Sequence, residues 1–449
     1  MPIKVIELND SCLRVGDENG IISKTSGFAL LAHGKVIVGD HAERRACLQP
    51  TDIFSKYWQE LSLEPISHGP GIRHYADLAY AQLLDIAEGS SVDGDVILSV
   101  PSSFTRQQLE ILLGLSKQCP FKVVGLVDSA LLAAVATGSS SHVIYADMHL
   151  HQLLLTELSI TNGHLVIESV TQLPGVGIQN FKNLMMQMAT DLFINQCRFN
   201  PQHNAHSEQQ LYNELSSWFF HDEMEQTLFL ELKSGDAIHT VKLPKETLVS
   251  SLSGYYKKIN DSINELMDSN TKLLLSESLG GLPGYISTIP RRYDWGLLDH
   301  DRMIKACYEY DSLIIDDREE LQLITKFPAE KIGVVQAPDK SARRSVGRPT
   351  HILCGNRAIK IDDIDIKNSV GIQCEAEYRN IIYMNLQTPY EQLGSISKRD
   401  GVIYIKCYES EVFLNGSLII GEHSLTLGDH LQFTKQGEFI SLIEVDDGE

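Results

Sequence analysis

Period-two alternation of apolar and polar residues dominates the first forty positions of this chain, and a helical period joins it further on. Residues 3–8 and 11–15 alternate around Asn9-Asp10, Asn19-Gly20 is a hairpin signal, and 28–32 pairs with 35–38 across His33-Gly34. A polar stretch containing Pro50, Pro65 and Pro70 follows, with one short helix predicted over 52–61. Leu78, Leu83 and Ile86 give 75–87 the spacing of an amphipathic helix. A strand at 96–100, a helix at 105–118 opened by Pro101-Ser102-Ser103, a strand at 122–127 and a helix at 129–137 ended by Gly138 come next. Strands that alternate with helices predict parallel pairing through crossovers.

A strand pair over 142–158 and a strand at 165–170 begin a second unit of the same kind, with a helix over 178–199 after the Gly175-Val176-Gly177 turn. Residues 207–270 read as a helix, a hairpin around Lys233-Ser234-Gly235-Asp236, and a helix over 245–267. A strand at 272–276 then leads into Gly280-Gly281-Leu282-Pro283-Gly284. Two halves of similar content predict a duplicated core. Residues 336–349 lack apolar periodicity and read as a linker, and 350–449 read as short strands and turns. The expected division is therefore 1–335, with lobes 1–138 and 139–335, and a small β-sandwich over 350–449.

At 449 residues the chain is too long for one compact core. Its 43% hydrophobic and 22% charged content is that of an ordinary globular protein. The longest uncharged apolar run, 130–136, is too short to span a bilayer, and no secretory leader is recognised, so a cytosolic location is expected. The eight cysteines include no CxxC pair, which argues against zinc ribbons and a disulfide framework. Fifty-nine acidic against 38 basic residues give a formal charge of −21, a field that repels phosphate backbones and disfavours nucleic acid as a partner.

Four segments carry a resemblance. Val36-Ile-Val-Gly39-Asp40-His-Ala42, Val96-Ile-Leu-Ser-Val-Pro101-Ser-Ser-Phe104, the run 123–138 ending in Ala-Thr-Gly138, and the strand pair 142–157 around Asp147 stand in the order found in the actin and seventy-kilodalton heat-shock chaperone (Hsp70-like) ATPase superfamily. Over about 1–330 the chain resembles that superfamily. The resemblance implies an α/β, duplicated actin-like (ribonuclease-H-like) fold with two lobes, ATP or ADP with magnesium as cofactor, and chaperone-type ATPase activity. It places Glu7, Asn9, Ser11, Asp147, Gly175, Gly177, Gly280 and Gly281 around the nucleotide, with Glu7 and Asp147 beside the metal.

Against this stand five departures. The family's D-x-G-T-T hairpin is here Glu7-Leu8-Asn9-Asp10-Ser11, and Asp10 puts negative charge where phosphate oxygens belong. After Asp147 the family's glycines are His149, Leu150 and His151, so the backbone cannot approach phosphates as glycine allows, and its later aspartate is Leu154. The catalytic acid falls on Ser129, leaving Asp128, one residue early, as the candidate to orient water. Lys56 is one place out of register with a catalytic lysine, and the adenosine segment reads Glu277-Ser278-Leu279-Gly280-Gly281. The departures argue for a pseudo-ATPase acting as a protein-binding scaffold or regulatory subunit, bacterial and cytosolic, over a divergent ATPase.

Two smaller readings accompany it. Asp147-x-His149-x-His151 offers one carboxylate and two imidazoles to a divalent metal if strand alternation holds, and otherwise these residues fill the cleft. The Leu184-Met-Met-Gln-Met188 run reads as a core stripe of a helix, and no GxSxG elbow is present. Finally, 412–433, with Asn415-Gly416 and Gly428-Asp429, resembles the tail of a forkhead-associated (FHA) sandwich. That likeness implies phosphothreonine recognition by an adaptor, although the expected arginine is missing at Cys354-Gly355-Asn356, with Arg357 adjacent.

Overall fold

The structure is a computed structural model that describes residues 3–66, 72–138, 141–219, 227–268, 270–315, 321–332 and, in stretches, 349–443. The chain divides into two compact units, Met1–Pro338 and Asp339–Glu449. The predicted linker lies, apart from Pro349, outside the described residues.

In the first unit the strands β1 (Lys4–Glu7), β2 (Leu13–Asp17), β3 (Gly20–Thr25), β4 (Ala29–Ala32) and β5 (Lys35–Val38) precede α1 (Asp40–Glu43) and β6 (Ile53–Phe54). Then follow α2 (Tyr75–Gly89), β7 (Asp95–Val100), α3 (Arg106–Ser116), β8 (Lys122–Asp128) and α4 (Ser129–Ala136). The second half contributes β9 (His142–Met148), β10 (Gln152–Thr161), β11 (His164–Pro174), α5 (Ile178–Cys197) and α6 (Ala205–Glu214). After these come β12 (Thr227–Ser234), β13 (Ala237–Pro244), α7 (Lys245–Leu266), β14 (Lys272–Leu275), α8 (Glu277–Gly280), β15 (Asp294–Leu297) and α9 (His300–Glu309). It closes with α10 (Asp311–Ile314), β16 (Leu323–Ile324) and β17 (Lys326–Pro328).

Two six-stranded mixed sheets result, β16-β8-β7-β1-β2-β3 and β15-β14-β9-β10-β11-β17. Each has an antiparallel meander flanked by two parallel strands: β7 and β8 beside β1, and β14 and β15 beside β9. The central strands are apolar on both faces, as strands covered on two sides must be. Val5 joins Ile97, Val127, α4 and α9 in a core that also takes Val143 and Tyr145 from β9. Its neighbour Ile6 faces the other way, toward Leu98 and α2. Across β9 the alternation repeats, with Ile144 and Ala146 packing against α5 and α7. Thus α4 and α9 lie in a core shared by both sheets, where each buried Leu or Ile contributes about 1.5–3 kcal/mol. Met185 and Met186 are core residues of α5.

One expected element is corrected. Residues 52–61 form no helix: β6 pairs antiparallel with β4, and turns follow. Tyr57 and Trp58 are drawn into the core, where both donate to Gln82 Oε1, and this tertiary anchoring overrides the local helical pattern.

The second unit is all-β. One sheet contains His351–Cys354, Arg357–Lys360, Phe439–Ile443, His430–Gln432, Val412–Leu414 and Ser417–Ile419, and the other Ile381–Met384, Ile364–Asn368, Gln392–Arg399, Val402–Cys407 and Glu422–Leu425. Ile352, Leu431 and Ile440 of one and Ile366, Ile396 and Ile405 of the other share a single core, which makes a sandwich. Gly355-Asn356, Asn415-Gly416 and Gly428 lie outside the described residues.

Candidate functional site

The β1–β2 turn is an Asx turn. Asn9 Oδ1 accepts from the Ser11 amide at 3.0 Å, and the Cys12 amide returns to the Asn9 carbonyl at 2.9 Å. Asn9 is not among the non-glycine residues with positive φ. Its side-chain amide instead reaches across to the second sheet, donating to Asp147 Oδ1 at 2.9 Å.

The β9–β10 turn is anchored on every side. Its Met148 amide donates to Ser276 Oγ and its His149 amide to the Gln152 carbonyl. The carbonyls of His149, Leu150 and His151 accept from the amides of Ile178, Gln179 and Gly175. The first amides of α5, the natural anion-binding end of a helix, are thereby satisfied within the protein. Gly177 permits this approach, since a Cβ there would stand 2.5 Å from the backbone of His151 and Gln152. Gly175 takes the left-handed φ of 73° that the turn requires.

Between the two turns lies a buried Asp–His–Asp bridge. Asp10 Oδ1 accepts from the Leu150 amide at 2.8 Å and sits 3.1 Å from His149 Nδ1. The other ring nitrogen lies 3.2 Å from Asp147 Oδ2. A ring that donates from both nitrogens to two carboxylates is an imidazolium. Burial opposes that charge, but Asp147 and then Asp10 overcome it and push the imidazole up to about 10. Burial likewise works against the Asp10 carboxylate, and His149 outweighs it, holding the group below its ordinary value. Ser11 Oγ, 2.7 Å from Asn9 Oδ1 and 3.1 Å from the Met148 carbonyl, completes the junction.

Glu7 lies nearby at 1% exposure, in a second cluster. Arg14 Nη1 is 3.2 Å from Glu7 Oε1, and His300 Nδ1, from the first turn of α9, is 3.3 Å from the same atom. Burial would raise this carboxyl, but Arg14 and then His300 bring it down to about 2. Asp128 caps α4, accepting from the Ala130 amide at 2.8 Å and from Ser102 Oγ at 2.7 Å, and burial pushes it up to about 6. Gly280 and Gly281 spend their amides on the Ser276 and Glu277 carbonyls, so neither offers a donor outward.

These partners settle which groups fit a magnesium ion. Glu7 is neutralised by Arg14, and Asp147 is engaged by His149 and Asn9, so the residues as arranged do not fit one. The Asp147, His149 and His151 trio does not converge either: His151 Nε2 turns to the Ser55 carbonyl and hydroxyl, each at 3.0 Å. Among the described residues no group of three or more His, Cys, Asp or Glu is arranged to hold a metal.

Beside the bridge opens a cavity of about 640 Å³, bounded by Ser11, Arg14, Lys24, Phe28, Leu150 and Glu277, among others. Its rim is tied by Lys182 Nζ to Glu43 Oε1 at 2.7 Å, with the Tyr212 hydroxyl 3.1 Å from the same oxygen. The Cys47 amide donates to Gln209 Oε1 at 2.7 Å in the same strap. Arg14, His300 and this strap were not anticipated from the sequence. Hairpin arithmetic would have found Arg14, because a pairing centred on the β1–β2 turn puts it opposite Glu7. The partners of Glu43 come from α5 and α6, over a hundred residues on, and no local signal points to them.

No family model matches the chain, and no curated protein matches it. Among the described residues no helix is long and apolar enough to cross a membrane.

Proposed function

We propose that the first unit is an actin/Hsp70-like nucleotide fold whose phosphate site is filled by its own side chains, and that the protein acts as a protein-binding scaffold or regulatory subunit. The observation that carries this reading is the Asp10–His149–Asp147 bridge. Phosphoryl transfer needs backbone donors and a metal aimed at phosphate oxygens. Here the Leu150 amide meets the Asp10 carboxylate, and an imidazolium stands where a cation would balance phosphate charge. The repeated sheet order, a meander flanked by two parallel strands, supports the duplicated two-lobe fold. The second unit, a sandwich with one shared core, is proposed as a protein-binding module. Residues 355–356, where the resemblance expects a phosphothreonine-reading arginine and the sequence has Gly-Asn, lie outside the described residues.

The test is a titration of the full chain with magnesium and ATP, followed by thermal melting and phosphate release. Millimolar nucleotide is expected to leave the melting temperature within one degree and to release no phosphate above buffer. A dose-dependent rise by several degrees with steady turnover overturns the reading in favour of a divergent ATPase using Glu7, Asp147 and Asp128.

A further inference from the structure

The cavity beside the bridge carries a charge pattern that the bridge does not explain. Arg14 on β2 and Lys24 on β3 are direct cross-strand partners, and both line the cavity. Like charges placed directly opposite in a ladder are destabilising unless an anion lies between or beside them. Arg14 is 2% exposed, and its Nε, in a side chain lining the cavity, has no protein partner. Glu7 balances only the other end of that guanidinium. Lys24 has the Glu277 carboxylate at 3.9 Å, a loose contact between half-exposed groups.

The remaining lining restricts what that anion is. Phe28, Leu150, Ile178 and Phe219 supply apolar surface, suited to a hydrophobic body. Lys182 is engaged by Glu43, and Arg44 adds an exposed cation to the lining. Asp40, Glu43 and Glu277 offset three of the four lining cations, Arg14, Lys24, Arg44 and Lys182, so the lining favours a single negative charge over a polyanion. The volume is in the range of small-molecule sites.

We infer that this cavity binds a small organic monoanion, a carboxylate or sulfonate on an aromatic or aliphatic body, with Arg14 and Lys24 receiving the charged group and the Phe28–Phe219 wall the apolar part. The inference is independent of the scaffold reading, because it concerns the space next to the bridge and survives whether or not the second unit binds protein.

The probe is 1-anilinonaphthalene-8-sulfonate, titrated into the full chain at pH 7 and followed by fluorescence. The expected result is one saturable site per chain in the micromolar range, displaced by sodium decanoate and unaffected by millimolar magnesium-ATP. Lys24→Glu should weaken it at least tenfold, and Ser216→Trp, which plugs the exposed rim, should abolish it. Lys24 is half exposed and Ser216 is exposed on the short 3-10 helix Leu215–Trp218, so melting curves should confirm that the variants fold. Binding that is unsaturable, or that keeps its strength in both variants, overturns the proposal. Displacement by magnesium-ATP at lower concentration than decanoate also overturns it, since the cavity is then a nucleotide site.

Discussion

Replacing His149 by glutamine leaves Asp10 and Asp147 buried with no cation between them. The imidazole is pushed up to about 10 in the folded protein, against roughly 6.5 when unfolded. Linkage then assigns it about 1.4 kcal/mol per pH unit between those values, or about 4 kcal/mol at pH 7. Removing one partner of a buried ion pair costs about 3–5 kcal/mol by a separate route, which agrees. The sign follows from the raised value: the contribution is complete below the unfolded value and fades as pH climbs toward the folded one. All three tryptophans, Trp58, Trp218 and Trp295, lie in the first unit, so urea unfolding followed by tryptophan fluorescence reports that unit alone. The gap between the native chain and His149→Gln should be about 4 kcal/mol at pH 7, and the native His149 ring should keep the NMR signature of an imidazolium up to about pH 9. A ring that is neutral at pH 8 would refute the charged bridge.

Three further outcomes follow from the same geometry. Asp128→Asn keeps an acceptor for the Ala130 amide and removes a charge that burial disfavours; with the carboxyl raised to about 6, the variant should gain up to about 3 kcal/mol at pH 8 and nothing near pH 4, read by urea unfolding. A double-mutant cycle of Lys182→Met and Glu43→Gln should return a coupling of about 1–2 kcal/mol for this partly buried pair; zero coupling would mean the strap contributes no stability. Gly177→Ala drives a Cβ into the backbone of His151 and Gln152 and should cost about 2–4 kcal/mol, seen as a lower urea midpoint.

How far the fold was legible depends on the range of the forces that set each element. Strands β1, β2, β7, β8 and β9 and helices α2, α3 and α5 announce themselves through apolar period and local caps such as Thr105, whose hydroxyl meets the Gln108 amide. Segment 52–61 failed because its conformation is fixed by Gln82, some twenty-five residues away, and by the open edge of β4. Propensity carries no information about either.

The site divides along the same line. From the sequence, Asp10 is a charge that repels phosphate, and His149 is a bulky replacement for glycine. Each reading treats one residue as a loss. What neither contains is that the two residues, 139 positions apart, lie 3.1 Å from each other. A lone buried aspartate or a lone buried histidine would be strongly unfavourable here; as a pair, flanked by Asp147 and the Leu150 amide, each removes the other's penalty. Asp10 and His149 therefore make physical sense only together. Removing one alone, for instance by His149→Gly, should strand Asp10 beside Asp147 and weaken the fold. On the nucleotide fold proposed above, Asp10→Thr combined with His149→Gly removes the Asp10–His149 pair at once, and that double variant is the one in which magnesium-ATP should first raise the melting temperature.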